Sequence, residues 1–184
     1  ALYLYMCDGQ ITTPRCLLAF RNFFIPPSDF LLLWKIWKGR VPVQDLLKKA
    51  GISLASACPL CLAAMESIEH IFLFCVFSGR FWSYIQDITG CWLQLQSLEG
   101  CLASVVAARW SVQVGNILLA AAAAICDFIW RARNALVFED INPTFQNGVR
   151  AIHRVVCNSS KVQDGCMNNN FDDLVILRSF GVSG

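Results

Sequence analysis

Three of the ten cysteines and one of the two histidines fall within a single short stretch, "CPLCLAAMESIEHIFLFC". The spacing is Cys58-x2-Cys61-x8-His70-x4-Cys75. Zinc takes four soft or borderline ligands in a tetrahedron, and thiolate with imidazole is a common set. A Cys-Pro-Leu-Cys turn can aim two sulfurs at one ion while backbone N–H groups face those sulfurs. The following "ESIEHIFLFC" reads as a short helix that offers His70 from its middle and Cys75 from its end. Ile68, Ile71, Phe72 and Phe74 are then expected to bury the site. The bland alternative is a chance cluster of core cysteines in a cysteine-rich chain. The paired spacing favours zinc, with Cys58, Cys61, His70 and Cys75 as ligands. Four protein ligands leave no open coordination position, so the ion is expected to be structural.

No other constellation reads as catalytic. Asp172 and Asp173 stand at a helix start, where acids complement the helix dipole. Asp127 and Arg131 are spaced i, i+4, as a helix-surface pair. Ser159 and Ser160 fall in a polar stretch with no base nearby in sequence. His153 reads as a boundary residue beside an apolar stripe, and Cys157 is only a formal partner for it. No Tyr-x-Asp-Asp or comparable polymerase carboxylate pair is present. The expectation is a protein that is not an enzyme.

The elements that must position the cluster read as helices. "SDFLLLWKIWKG" begins at Ser28 as N-cap and stops at Gly39, with Phe30, Leu33, Trp34 and Trp37 at helical spacing. "VQDLLKKAGI" is a shorter helix ended by Gly51. "FSGRFWSYIQDITG" places Phe77, Phe81, Ile85 and Ile88 on one face. Residues 113–139 read as one long helix, alanine-rich and free of proline. "NPTFQNGVRAIHRVV" opens with Asn142 as cap and Pro143 at the first helical position, with Phe145, Val149, Ile152 and Val156 inward. Residues 158–170 are linker-like, and "FDDLVILRSFG" closes the chain as a short helix. No strand alternation and no repeat is found. The fold class is therefore all-α, a small helical bundle with an embedded Cys-Cys-His-Cys site. Residues 25–92 are expected to form a helical zinc-binding module and 93–157 a long-helix region packing on it. The expectation for 158–184 is linker plus helix; 1–24 stay unassigned.

The chain of 184 residues is 56% hydrophobic and 15% charged, with net charge +2. Its mean hydropathy is +0.50. That argues against disorder and gives no general electrostatic case for nucleic acid or a lipid surface. The clustered cations are Lys35, Lys38, Arg40, Lys48 and Lys49, a weak candidate phosphate-binding group. Trp34 and Trp37 beside them are expected in the core. The run "VGNILLAAAAAIC" is too short and too alanine-rich for a span, so a buried helix is expected and a membrane is not. The first residues lack the basic region of a secretory signal. Arg15 and Arg21 against Asp8 faintly suggest a mitochondrial leader, without its serines. Thiols are expected to stay reduced, in cytoplasm or nucleus. Cys7, Cys16, Cys91, Cys101, Cys126, Cys157 and Cys166 read as small core residues.

"FLLLWKIWKGRVPVQDLLKKAGI", "CPLC" and "ESIEHIFLFCVFSGRFW" together resemble the zinc-binding domain that follows the reverse transcriptase of plant LINE-type retrotransposons. "IWRARNALVFED" and "DDLVILRSFGVSG" are similar to later segments of those polyproteins, the second usually preceding RNase H. The resemblance covers roughly residues 25–184. It implies zinc at Cys58, Cys61, His70 and Cys75, without the polymerase or RNase H domains. Leu62 stands where that family commonly has Gly, and leucine tolerates a left-handed turn poorly.

Two functions follow as expectations. One is a zinc-stabilised accessory module with weak nucleic-acid contact. The other is a domesticated orphan fragment, regulatory or toxic. It would bind a protein partner or itself through an exposed apolar surface, and a variant of it would be directed to a membrane or organelle.

Overall fold

The computed structural model describes residues 25–51, 57–90, 92–107, 111–161 and 171–182. Among these the regular elements are helical: α1 (Pro27–Trp37), α2 (Gln44–Lys49), a π-helical turn (His70–Phe74), α3 (Val76–Thr89), α4 (Leu98–Ala107), α5 (Val112–Glu139), α6 (Phe145–Lys161) and α7 (Phe171–Ser179). One isolated antiparallel bridge pairs Ala57 with Met65. The all-α expectation is met.

Helix α5 runs through the centre. It packs on α1, α3, α4, α6, α7 and the π-helical turn, most extensively on α6. Its residues Leu118 to Cys126 are all buried, among them five consecutive alanines. Small side chains let neighbouring helices approach closely, and alanine costs the helix nothing in propensity. Ser111 caps the start, its hydroxyl accepting from the Val114 N–H at 3.3 Å. By length and composition α5 is the one described helix able to cross a membrane, and 67% of its most apolar window is buried inside this fold.

Helix α6 meets α3 and α5 through Gly148. A Cβ there would lie 2.3 Å from a Phe81 ring carbon and 2.7 Å from one of Phe128. Only glycine permits that approach. Phe81, Phe128 and Phe145 pack edge-on and tilted around it, with centroids 5.1 to 5.3 Å apart.

Several local expectations are corrected. Helix α1 starts at Pro27 with Pro26 as its cap, because proline's fixed φ suits the first turn. Ser28 lies inside the helix, its hydroxyl donating to Asp29 Oδ1 at 2.8 Å. The buried stripe of α1 is Asp29, Leu32, Leu33 and Ile36, so Phe30, Trp34 and Trp37 are half-buried at the core's edge. Helix α6 begins at Phe145, two residues later than expected. The Asn147 N–H donates to Thr144 Oγ1 at 3.3 Å, making Thr144 the cap rather than Asn142. The helix also runs on to Lys161, into the first four residues of the expected linker. Ser159 is thus buried, and Ser160 donates to the Cys157 carbonyl at 2.8 Å. Gly39 and Gly51 do end α1 and α2 at positive φ, +63° and +86°.

Candidate metal centre

The first half of the site is the turn after Cys58. Cys58 N–H donates to the Ala64 carbonyl at 2.7 Å, and Leu62 N–H donates to the Cys58 carbonyl at 2.8 Å. The Cys58 sulfur accepts the N–H groups of Leu60 and Cys61. Leu62 takes the left-handed conformation, φ +58°, with its side chain 77% exposed. The left-handed turn that the resemblance implied is therefore made, by a residue with a steric penalty for it.

The second half is the π-helical turn. The Cys75 N–H reaches back five residues to the His70 carbonyl at 2.6 Å. In an α-helix, residues five apart point about 140° away from each other. The wider i→i+5 turn, with Cys75 extended beyond it, brings His70 and Cys75 to one side. Ser67 Oγ accepts the His70 N–H at 3.1 Å. Carbonyls left over by the wide turn are taken by α3: Ser78 Oγ donates to Ile71 O, and Trp82 Nε1 donates to Phe72 O at 2.7 Å. Ile71, Phe72 and Leu73 are buried by this arrangement, whereas Phe74, expected to cover the site, is exposed. Cys75 is also the N-cap of α3, and its sulfur accepts from the Phe77 and Ser78 N–H groups.

The four donor atoms all lie within 4.8 Å of one another. Cys58 Sγ is 3.9 Å from Cys75 Sγ, and Cys61 Sγ is 3.3 Å from His70 Nε2. A tetrahedron with metal–sulfur bonds of about 2.3 Å and metal–nitrogen bonds of about 2.0 Å has edges of about 3.5 to 3.8 Å. The cluster fits a small tetrahedral ion. Cys58 and Cys75 are fully buried; Cys61 and His70 are half-buried.

Cys75 and His70 are biased toward the form that binds metal, whereas Cys58 is held protonated and must lose its proton to bind. The Cys58 thiol donates toward Cys75, which holds Cys75 below the usual thiol range and, with burial, pushes Cys58 well above it. Burial lowers His70, against the opposing charge of Glu66, and so favours the neutral imidazole that a metal requires.

Glu66 is a buried residue beside the site that sequence reasoning missed. It is 1% exposed between the two halves of the site. Arg133 of α5 donates to it twice, Nε to Oε1 at 2.7 Å and Nη2 to Oε2 at 3.2 Å. The Gln44 N–H at the start of α2 donates to Oε2 at 3.1 Å. The only signal in the sequence was Arg133 inside "IWRARN", which the resemblance singled out without a role.

With this geometry in place, the comparison decides the similarity. Residues 1–82 match the family "zinc-binding in reverse transcriptase". All four clustered residues fall inside that stretch. No curated protein and no solved structure matches the chain. The matched stretch includes residues 1–24, which the sequence reading left unassigned, and stops within α3.

The remaining candidates are not brought to the site. Lys35, Arg40 and Lys48 are exposed on α1, α2 and the turn between them. The Lys38 ammonium sits 4.1 Å over the Trp37 ring, and Lys49 pairs with Asp45 at 2.9 Å. Asp127 and Arg131 form the expected pair at 2.7 Å. His153 Nε2 lies 2.5 Å from the Tyr84 hydroxyl, and Cys157 donates to the Phe180 carbonyl at 3.5 Å, so the two have separate partners. Asp173 lies in the first turn of α7 but is buried, 1% exposed, with neither oxygen hydrogen-bonded among the described residues. Cys101 and Cys126 are buried, as expected of core residues. Cys7, Cys16, Cys91 and Cys166 lie outside the described residues, as do the side chain of Asp172 and the Arg15 and Arg21 region. A basic stripe was missed: α6 contains no acid and exposes Arg150, Arg154 and Lys161 within one arc of its outer face.

Proposed function

We propose that this chain is a non-catalytic, zinc-binding accessory module of retroelement origin, from a plant LINE-type reverse transcriptase polyprotein. The observation that carries it is the convergence of Cys58, Cys61, His70 and Cys75 within a stretch similar to a reverse-transcriptase zinc-binding family. These four residues hold the ion, and the ion supplies a structural cross-link. All four positions are filled by protein, which leaves none for a reacting water.

The role we favour is weak, salt-sensitive contact with a nucleic-acid backbone. Arg150, Arg154 and Lys161 on the outer face of α6, with the cations at Lys35, Lys38, Arg40, Lys48 and Lys49, support it. Each phosphate neutralised steepens the fall of affinity with salt. A second reading rests on the exposed Leu62, Met65, Phe74 and Val76 around the site. Such a patch suits a protein partner or self-association, the behaviour of a domesticated fragment.

The test is metal content together with binding of a single-stranded oligonucleotide across salt concentrations. The favoured reading expects one zinc per chain and binding that weakens in Arg150→Glu/Arg154→Glu. Complexes that persist at high salt and dissolve on Leu62→Ser/Met65→Ser instead select the second reading. Metal-dependent strand cleavage abolished by Asp173→Asn would overturn the non-catalytic assignment.

A further inference from the structure

We infer that Arg133, acting through Glu66, is a positioning residue for the metal centre, so that metal affinity and the packing of α5 form one coupled equilibrium. The inference rests on the metal reading above and extends it to a residue outside the matched stretch.

Glu66 occupies the one segment that joins the two halves of the site. On its N-terminal side, Met65 pairs with Ala57, and the Ala64 carbonyl holds the Cys58 N–H. On its C-terminal side, Ser67 holds the His70 N–H. A shift of Glu66 therefore moves both halves at once. Arg133 prevents that shift. Its two nearly parallel N–H groups engage both carboxylate oxygens, a planar fork that sets direction as well as distance. Arg133 is itself fixed, since it is buried in α5, its Nη1 donates to Asn134 Oδ1 at 3.3 Å, and its guanidinium lies 5.5 Å from the Trp130 ring centre. The π-helical turn that carries His70 packs on the same helix.

Charge makes the same argument. Three thiolates, one imidazole and a divalent ion leave the centre with one net negative charge. A further buried carboxylate in the connecting segment opposes that arrangement unless it is neutralised locally, and Arg133 does so. A buried pair that lost one partner would leave an uncompensated charge.

A purely scaffolding role predicts something different. Replacing a buried ion pair by an apolar pair of similar volume is often neutral for stability. Under scaffolding alone, Glu66→Met/Arg133→Leu would restore both stability and metal affinity. Under positioning it restores stability while affinity stays weak, because the directional fork is gone.

The experiment uses the full chain with cobalt(II) and zinc(II). Chelator competition gives the affinities, and the cobalt–thiolate absorption reports the tetrahedral site. Arg133→Met is expected to weaken metal binding by about tenfold, the low end of the range seen for groups that bond the ligands directly, because Arg133 acts through Glu66 and the connecting segment. Arg133→Lys, which keeps charge but not the fork, should fall between, and the double variant should match the wild-type urea midpoint when both are metal-free yet bind metal weakly. Hydrogen exchange should show the α5 amides around Arg133 slowing on metal addition in the wild type and not in Arg133→Met, as reciprocal coupling requires. If Arg133→Met does not fold, Arg133→Lys and the double variant carry the test. Wild-type affinity in these variants overturns the inference. A wild-type chain that binds neither metal overturns the metal reading itself, and this inference with it.

Discussion

The metal cluster and helix α5 hold their shape by opposite means. Between Cys58 and Cys75 the chain exposes Leu62, Met65 and Phe74, and it depends on four side chains meeting at one point. Helix α5 is buried from Leu118 to Cys126 and there depends on close apolar packing that needs no ion; only its stretch around Arg133 is tied to the cluster, through Glu66. On the zinc reading proposed above, the first region is stable only when its ligands are deprotonated and joined; the second is stable whenever water is excluded. The contrast explains how one small chain can carry a conditional element without losing its fold.

Removing the metal should break the comparison most sharply. Chelation, or His70→Ala, is expected to release about one zinc per chain and to melt the segment 57–75, while far-UV circular dichroism keeps most of its helical signal. Metal binding in such sites couples to folding on the order of 10 kcal/mol. Simultaneous collapse of α5 would show that the two regions are not separable.

Gly148→Ala attacks the other region. The added Cβ would strike the Phe81 ring at 2.3 Å. Overpacking of this kind costs about 1–3 kcal/mol, so the thermal midpoint should drop while zinc stoichiometry stays at one.

Acid should act on the metal side first. Burial lowers His70 from its ordinary 6.5, so the unfolded chain binds the proton more readily than the folded one. Stability from the neutral ring is therefore present above pH 6.5 and is lost as pH falls through the lowered folded value. Protons also compete with metal for the thiolates. A pH titration of the zinc-loaded chain should show metal release before any loss of the far-UV helical signal.

The smallest expected effect is a gain. Leu62 sits at φ +58°, where a side chain costs about 1–2 kcal/mol and glycine costs little. Leu62→Gly should tighten metal binding slightly, its relief of strain being partly offset by the entropy of the freer unfolded chain. An unchanged or weaker affinity in chelator competition would mean that the exposed leucine contributes packing of its own.

The ligand spacing, the glycine stops at Gly39 and Gly51, the long alanine-rich helix and the inward positions Ile152 and Val156 were all legible in the sequence. Each is a local signal: a turn, a cap or a period is written into neighbouring residues. The left-handed conformation of Leu62 was implied only by the resemblance, since leucine itself carries no such signal. What only the tertiary structure decided involves partners distant in sequence or geometries that several sequences can adopt. The π-helical turn gives no separate periodic mark, and Ser78 and Trp82 show their use only once α3 folds back on it. Gly148 reads as a helix weakness until two phenylalanine rings fill the space beside it. Glu66 and Arg133 look like ordinary surface charges in a linear reading. They become a buried pair because α5 passes behind the metal cluster, and that crossing is set by how the helices pack.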